Sequence, residues 1–409
     1  MKFSELGFED QVLEALDAMG FETPTPIQQE AIPAVMDNKD MIAVAQTGTG
    51  KTAAFVLPIL NAICKRGSSD KVSTIIIVPT RELAIQIDQQ VEGLSYFTNA
   101  TSIAIYGGGD GKSFDAEKKA LTTGADIVIC TPGRFMSHLN MGYFDTSGVK
   151  HFILDEGDRM LDMGFNEDIT KIANKLPKDR QNLLFSATMP PKIRQLSATL
   201  LKDPITINIA ISKPNKGITQ AAYLVHNSQK IKLIGEILKE NDHDFVLVFS
   251  SRKVTVKEIV QALNKAGLPA KGIHSDLNQQ EREGVLLDFK NRKIKLLIAT
   301  DVLSRGIDIK GINLVINYDI PGDAEDYIHR IGRTARGDNT GVALTFINAD
   351  DCHNFSKIES LIGSEVNKLP LPEGFTEGPK YDTTYKKPFK GGGKKNFSKK
   401  KNWKPRKKQ

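Results

Sequence analysis

Short runs of aliphatic and β-branched residues alternate along the chain with stretches whose apolar positions recur at helical spacing. The runs predict strands over 41–45, 74–78, 102–106, 126–130, 152–154, 183–186 and 205–209. A second series follows at 221–225, 245–249, 271–273, 295–299, 314–318 and 342–346. The helical spacing predicts helices over 51–66 and 81–97 in the first series, and over 231–240, 254–266 and 279–290 in the second. The strand runs are apolar throughout and do not alternate with polar residues, as expected of parallel strands covered on both faces. Alternation of strand and helix gives an α/β fold class: two tandem parallel-sheet domains with similar layouts. The boundaries read as a first domain over 1–211, a polar linker over 212–219 and a second domain over 220–369. From residue 370 the pattern fails, and 370–409 reads as a disordered Lys/Gly-rich tail.

Charge sharpens this division. The 409 residues carry a net +6, yet residues 386–409 hold twelve Lys/Arg and no acid. The remaining body has 43 basic against 49 acidic residues, a net of −6. A mildly acidic body with a basic end suggests a polyanion gripped by a tail. Tyr381, Tyr385, Phe389, Phe397 and Trp403 are spaced among the lysines, which suits stacking on unpaired bases. No apolar run reaches the roughly 18 residues of a membrane span, and the opening Met1-Lys2-Phe3-Ser4-Glu5 does not read as a secretory signal. Three cysteines without C-x-x-C spacing indicate neither a disulfide framework nor a zinc site, so a cytoplasmic setting is expected.

Three local patterns carry chemistry. Ala45-Gln46-Thr47-Gly48-Thr49-Gly50-Lys51-Thr52 follows an expected strand and opens an expected helix. Its glycines let backbone N–H groups curl toward phosphate oxygens, and the helix adds its positive end. Lys51 would sit on the β/γ-phosphates and Thr52 would hold Mg²⁺. The second pattern is an apolar strand ending in acids, Ile153-Leu154-Asp155-Glu156-Gly157-Asp158. Asp155 would approach the same Mg²⁺, and Glu156 would orient or deprotonate the attacking water. An acidic strand end by itself is more often a solvated turn; together with the lysine loop it reads as nucleotide hydrolysis. The third pattern, His329-Arg330-Ile331-Gly332-Arg333-Thr334-Ala335-Arg336, supplies arginines for a γ-phosphate in its transition state. The second domain's Phe249-Ser250-Ser251-Arg252-Lys253 lacks glycines, so one ATP between two domains is the economical arrangement.

These motifs stand in the order found in DEAD-box ATP-dependent RNA helicases, and the chain resembles that family over about residues 1–365. Gly20 to Gln28 resembles the Q motif; the resemblance implies that Gln28 reads the adenine edge and that Phe3 stacks on it. It implies phosphate-loop contacts from Ala45 through Thr52 and ribose contact by Asp308. Pro79-Thr80-Arg81-Glu82-Leu83, Gly107-Gly108 and Thr131-Pro132-Gly133-Arg134 resemble first-domain RNA motifs, which implies contacts by Arg81, Gly108, Thr131 and Arg134. Arg252 and Thr300 are the matching RNA contacts of the second domain. Ser186-Ala187-Thr188, with Asp158 and His329, resembles the set that couples ATP state to unwinding. Arg333 and Arg336 match the arginine fingers.

The chain departs from the family at Gly157, where alanine is usual, and at Ala335, a change conservative in size where glycine is usual. Its opening segment and basic extension are similar to the RhlE-like bacterial subgroup. The expected function is sequence-independent RNA binding between two domains, with local unwinding of short duplexes or remodelling of RNA–protein complexes driven by ATP and Mg²⁺. Partners are single-stranded and short duplex RNA, with ribosomal or RNA-decay complexes open as protein partners and no membrane. A DNA-directed or translocating helicase of the same broad ATPase class and a non-catalytic RNA clamp or scaffold are the competing interpretations.

Overall fold

The computed structural model describes residues 1–384 apart from 46–47, 68, 109–110, 210–216, 241–244, 301–308, 310 and 336–339. The first sheet is built from β1 (Met41–Val44), β2 (Thr74–Ile77), β3 (Ser102–Ile105), β4 (Ile127–Cys130), β5 (His151–Leu154), β6 (Gln181–Ser186) and β7 (Ile205–Asn208). The second comprises β8 (Ile218–Leu224), β9 (Val246–Phe249), β10 (Ala270–Ile273), β11 (Leu296–Ala299), β12 (Leu314–Asn317), β13 (Gly341–Ile347) and β14 (Asn367–Leu369). The spatial orders are β3-β4-β2-β5-β6-β1-β7 and β10-β11-β9-β12-β13-β8-β14. Counted from its own first strand, each sheet has the same order, so the similar layout of the two halves is one topology used twice. Every pairing between these strands is parallel.

Nine helices accompany the first sheet among the described residues: α1 (Asp10–Ala18), α2 (Pro26–Met36), α3 (Lys51–Arg66), α4 (Arg81–Ser95), α5 (Gly111–Thr123), α6 (Pro132–Met141), α7 (Gly157–Asp162), α8 (Asn166–Lys175) and α9 (Pro191–Leu200). The second sheet carries α10 (Lys230–Glu240), α11 (Lys253–Lys265), α12 (Gln279–Lys290), α13 (Ala324–Ile331) and α14 (Cys352–Ile362). Side chains alternate along each strand, which is why both faces need cover. Ile76 joins a core with Phe55, Leu57 and Ile59 of α3, while Ile75 and Ile77 join another with Phe135 of α6, Ile169 of α8 and Ile193 of α9. Several helix starts are written locally: the Thr80 side chain accepts from Leu83 N at 3.4 Å, and Asn278 and Glu281 form a reciprocal capping box.

Two boundaries differ from the sequence expectation. The second sheet's first strand starts at Ile218, inside the expected linker 212–219, most of which lies outside the described residues. The folded body also continues beyond 369. Leu371 and Phe375 pack on the second domain's core, and Gln229 Nε2 donates to Thr376 O at 3.2 Å. Gly378 runs so close to β8 that a Cβ there would lie 1.8 Å from Leu224 O. The Tyr381 hydroxyl donates to Glu359 Oε2 at 2.5 Å, so this ring anchors the chain and is not displayed for bases. Residues 385–409, with the basic run, lie outside the described residues. Ending the chain after Leu369 strips these contacts and is expected to destabilise the second domain by at least about 3 kcal/mol. Ending it after Thr384 should leave denaturant midpoints unchanged.

Candidate functional site

The phosphate loop leaves the carboxyl end of β1, beside β6: Ala45 N donates to Ser186 O at 3.0 Å. Gly48 and Gly50 have φ of +86° and +91°, a region L side chains rarely enter. Gly50 is confined by a second constraint, because a Cβ there would lie 2.5 Å from Gln28 Nε2. Lys51 begins α3 and is 6% exposed; its Nζ is buried without a hydrogen-bond partner. Gln46 and Thr47 lie outside the described residues. Thr49 is half-buried at the loop, and Thr52 is half-buried on α3.

Gln28 sits directly against this loop. Thr25-Pro26-Ile27-Gln28 is a capping box with proline at the first helical position. Gln28 Oε1 accepts from Thr25 N at 2.9 Å, and Nε2 donates to Gly50 O at 3.1 Å. Thr25 Oγ1 donates to Thr49 O at 2.8 Å. An amide carries two donors and two acceptor lone pairs, so one of each remains. Phe3 is placed differently from expectation: it is 4% exposed in the core, edge-on to Phe21 at 6.2 Å between centroids.

The acidic cluster closes the site. Asp155 and Glu156 are 3% and 4% exposed. Asp155 Oδ1 accepts from Glu156 N at 3.0 Å. Glu156 holds a left-handed backbone, φ 54° and ψ 49°, as the residue before α7, the kind of strain that concentrates at functional sites. Burial pushes the Asp155 carboxyl up to about 6, against the opposing pull of Lys51. Because the folded value is raised, the penalty is absent at low pH, grows as pH rises through the interval between the ordinary carboxylate value and 6, and is complete above 6. In the nucleotide-free protein, Asp155→Asn is therefore expected to add stability on the order of 2 kcal/mol at pH 8 and none at pH 4. Unfolding at the two pH values checks this.

Asp158 ties this cluster to β6. Its backbone N donates to Ser186 Oγ at 3.3 Å, and its Oδ2 accepts from Thr188 N and Thr188 Oγ1, both at 3.2 Å. Gly157 packs on the same strand, where an added Cβ would lie 2.7 Å from Leu184 Cδ1. The unusual glycine thus lets α7 begin directly over Leu184. Arg159, which the sequence reading passed over, is buried with Nη1 3.4 Å from Glu156 Oε2. Its spacing of three from Glu156 at a helix start was the available signal.

The expected RNA residues of the first domain also converge. The Arg81 guanidinium lies on the glycine pair: a Cβ at Gly108 would fall 2.2 Å from Arg81 Nη1. Thr131 precedes α6, and Arg134 follows in its first turn, with Nε 2.8 Å from Glu117 Oε2. From the second domain, Arg282 of α12 approaches Glu82 of α4 at 3.6 Å. Arg252 is exposed before α11, and Thr300 is 8% exposed after β11.

His329 on α13 and Arg333 just beyond its end are buried, and Arg333 Nε donates to His329 O at 3.3 Å. Arg330, another residue the sequence reading gave no role, is fully buried. It donates from Nη1 to Asp319 O at 2.6 Å, while Asp319 Oδ2 accepts from Ser250 Oγ and Ser251 N, both at 2.8 Å. It braces α13 against the ends of β9 and β12. Ala335 has φ +52°, so glycine is the natural residue there for backbone reasons, and size is not the constraint. Asp308 and Arg336 lie outside the described residues.

Comparison with known proteins decides the family. Residues 25–196 match the DEAD/DEAH box helicase family model, and residues 229–338 match the helicase conserved C-terminal domain. The chain is 41% identical over 372 residues to the ATP-dependent RNA helicase CshA of Limosilactobacillus reuteri, covering 91% of this chain and 73% of that protein. The chain belongs to the DEAD-box helicase family. A CshA from Geobacillus kaustophilus is 40% identical, with 90% and 78% covered. S. cerevisiae Dbp5 bound to RNA and ADP BeF3 superposes with a TM-score of 0.80 at 32% identity, covering 90% of this chain and 95% of that one. This DEAD-box protein is therefore an ATP-dependent RNA helicase built on two RecA-like domains. The relatives named here carry the CshA name, and the RhlE-like likeness stays an expectation of the sequence. No helix of the described residues is long and apolar enough to cross a membrane.

Proposed function

We propose that ATP is held on the loop from Ala45 to Thr52, with its adenine edge read by Gln28. The carrying observation is the Lys51 ammonium, buried at the end of that loop without a hydrogen-bond partner among the described residues. A buried ammonium without hydrogen-bond acceptors is costly, and the phosphate oxygens that this loop's N–H groups would hold are the acceptors that fit. Gln28's spare donor and acceptor fit the complementary pair on an adenine edge. Asp155 and Thr52 would hold Mg²⁺. A carboxyl raised by burial fits that assignment, because a nearby cation favours its charged form. Bound there, Mg²⁺ supplies charge neutralisation on the phosphates.

Glu156 orients and deprotonates the attacking water, and Arg159 keeps its carboxylate aimed. Arg333 and Arg336 complete the site with positive charge on the γ-phosphate. Asp308 contacts the ribose. RNA lies along Arg81, Gly108, Thr131 and Arg134, then Arg252 and Thr300. Contacts to phosphates and 2′-hydroxyls make binding independent of sequence. Asp158, Ser186, Thr188 and His329 carry the ATP state to that surface. A bent strand cannot stay in a regular duplex, so short helices open locally. Residues 386–409 tether RNA by charge, in a cytoplasmic setting.

ATP turnover in saturating RNA and in DNA of the same sequence tests this. RNA is expected to stimulate at least about tenfold and DNA less than about twofold, since the 2′-hydroxyl separates them. Equal stimulation would favour the DNA-directed alternative.

A further inference from the structure

Four side chains from two helices and the turn beyond them gather around one carboxylate beside the first-domain RNA residues. Glu117 of α5 is buried, with its side chain 8% exposed, and its Oε2 sits 2.8 Å from Arg134 Nε and 2.7 Å from His138 Nε2. His138 is itself fully buried on α6. Its Nδ1 meets the Tyr143 hydroxyl, and its ring stacks on Phe114 with centroids 4.4 Å apart and planes 13° apart. Arg134 Cζ lies 4.7 Å from the centre of the same Phe114 ring.

A buried carboxylate is retained only when its charge is met. Here the groups that meet it also immobilise Arg134. The bond to Nε and the aromatic face together fix both the plane and the rotation of the guanidinium. With Nε engaged, Nη1 remains for a ligand on a side chain that is 17% exposed, while Nη2 is buried without a hydrogen-bond partner among the described residues.

The placement links this cluster to RNA. Helix α5 starts three residues after Gly108, against which Arg81 rests, and α6 starts directly after Thr131. The Glu117–Arg134 bond therefore ties the middle of α5 to the first turn of α6, which carries the expected Arg134 contact. We propose that Glu117, held by His138, is a positioning residue that fixes Arg134 so that its Nη1 group meets an RNA phosphate. This rests on the proposed RNA contact by Arg134.

The test is a cycle of Arg134→Ala, Glu117→Ala and the double variant in the full chain. Binding of a single-stranded RNA oligonucleotide with a non-hydrolysable ATP analogue is measured across salt concentrations. Arg134→Ala should weaken binding about tenfold and lower the log–log salt slope by about 0.7, the value for one lost single-strand phosphate contact. Glu117→Ala should weaken binding about fivefold, and the double variant should be no weaker than Arg134→Ala alone. The RNA concentration for half-maximal ATPase should rise more than kcat falls. Glu117→Gln, which still accepts from both donors, should bind within about twofold of the parent. If Glu117→Ala fails to fold, Glu117→Asp, retracted by one methylene, carries the same cycle.

Wild-type or tighter binding by Glu117→Ala, as from a freed arginine, overturns the inference. So do losses in the double variant that multiply. Normal binding and salt slope in Arg134→Ala would instead remove the Arg134 contact itself, and the inference with it.

Discussion

Glu156→Gln is expected to lower RNA-stimulated ATP turnover by about 10³-fold, the scale of losing a positioned general base. The substitution keeps the side chain's length and its bond from Arg159, since Gln Oε1 still accepts from Nη1, now 3.4 Å from Glu156 Oε2. It leaves the left-handed turn before α7 and the Lys51 loop untouched. ATP affinity and ATP-dependent RNA affinity should therefore stay within about threefold of the parent, because neither requires proton transfer. Nucleotide and RNA titrations, read beside steady-state turnover, separate the two effects. A matching loss of ATP binding would mean that Glu156 is structural.

Asp158→Ala should fall on a different step. The carboxylate serves β6: its Oδ2 accepts from Thr188 N and Oγ1. Deleting it leaves these donors without their acceptor at the junction between α7 and β6, a loss of about 1–3 kcal/mol in the link. Strand separation per ATP hydrolysed should drop about tenfold, while ATP turnover in saturating RNA drops less than about threefold. Asp158→Asn, which keeps an acceptor, should lie between the two.

Much of the fold was legible because buried parallel strands are written as continuous apolar runs. The exceptions have a physical cause. β14 is three residues long, reads Asn-Lys-Leu and lies at a sheet edge, so neither length nor hydrophobicity marked it. Residues 370–384 have the composition of a disordered segment. They are held by individual contacts, among them Phe375 on the core, Tyr381 on Glu359 and Gly378 against Leu224 O, and no pattern records such contacts. The same gap limited the site. Loops, helix starts and the Asp155–Glu156 pair sit within local motifs and could be read. Arg330 on Asp319 and Glu117 on Arg134 are partners 11 and 17 residues apart, joined only by the fold. Phe3 shows the reverse case, in which a motif position is occupied by a side chain that the core has taken up.

The central claim is that hydrolysis at the Lys51–Glu156 site drives RNA strand separation through Asp158. Its most direct measurement counts ATP hydrolysed and short RNA duplexes separated in one reaction, for the parent chain and for Asp158→Ala. The account predicts RNA-dependent turnover in both and about a tenfold lower yield of separated strands per ATP in the variant. An unchanged yield in Asp158→Ala, or turnover indifferent to RNA in the parent, would contradict it.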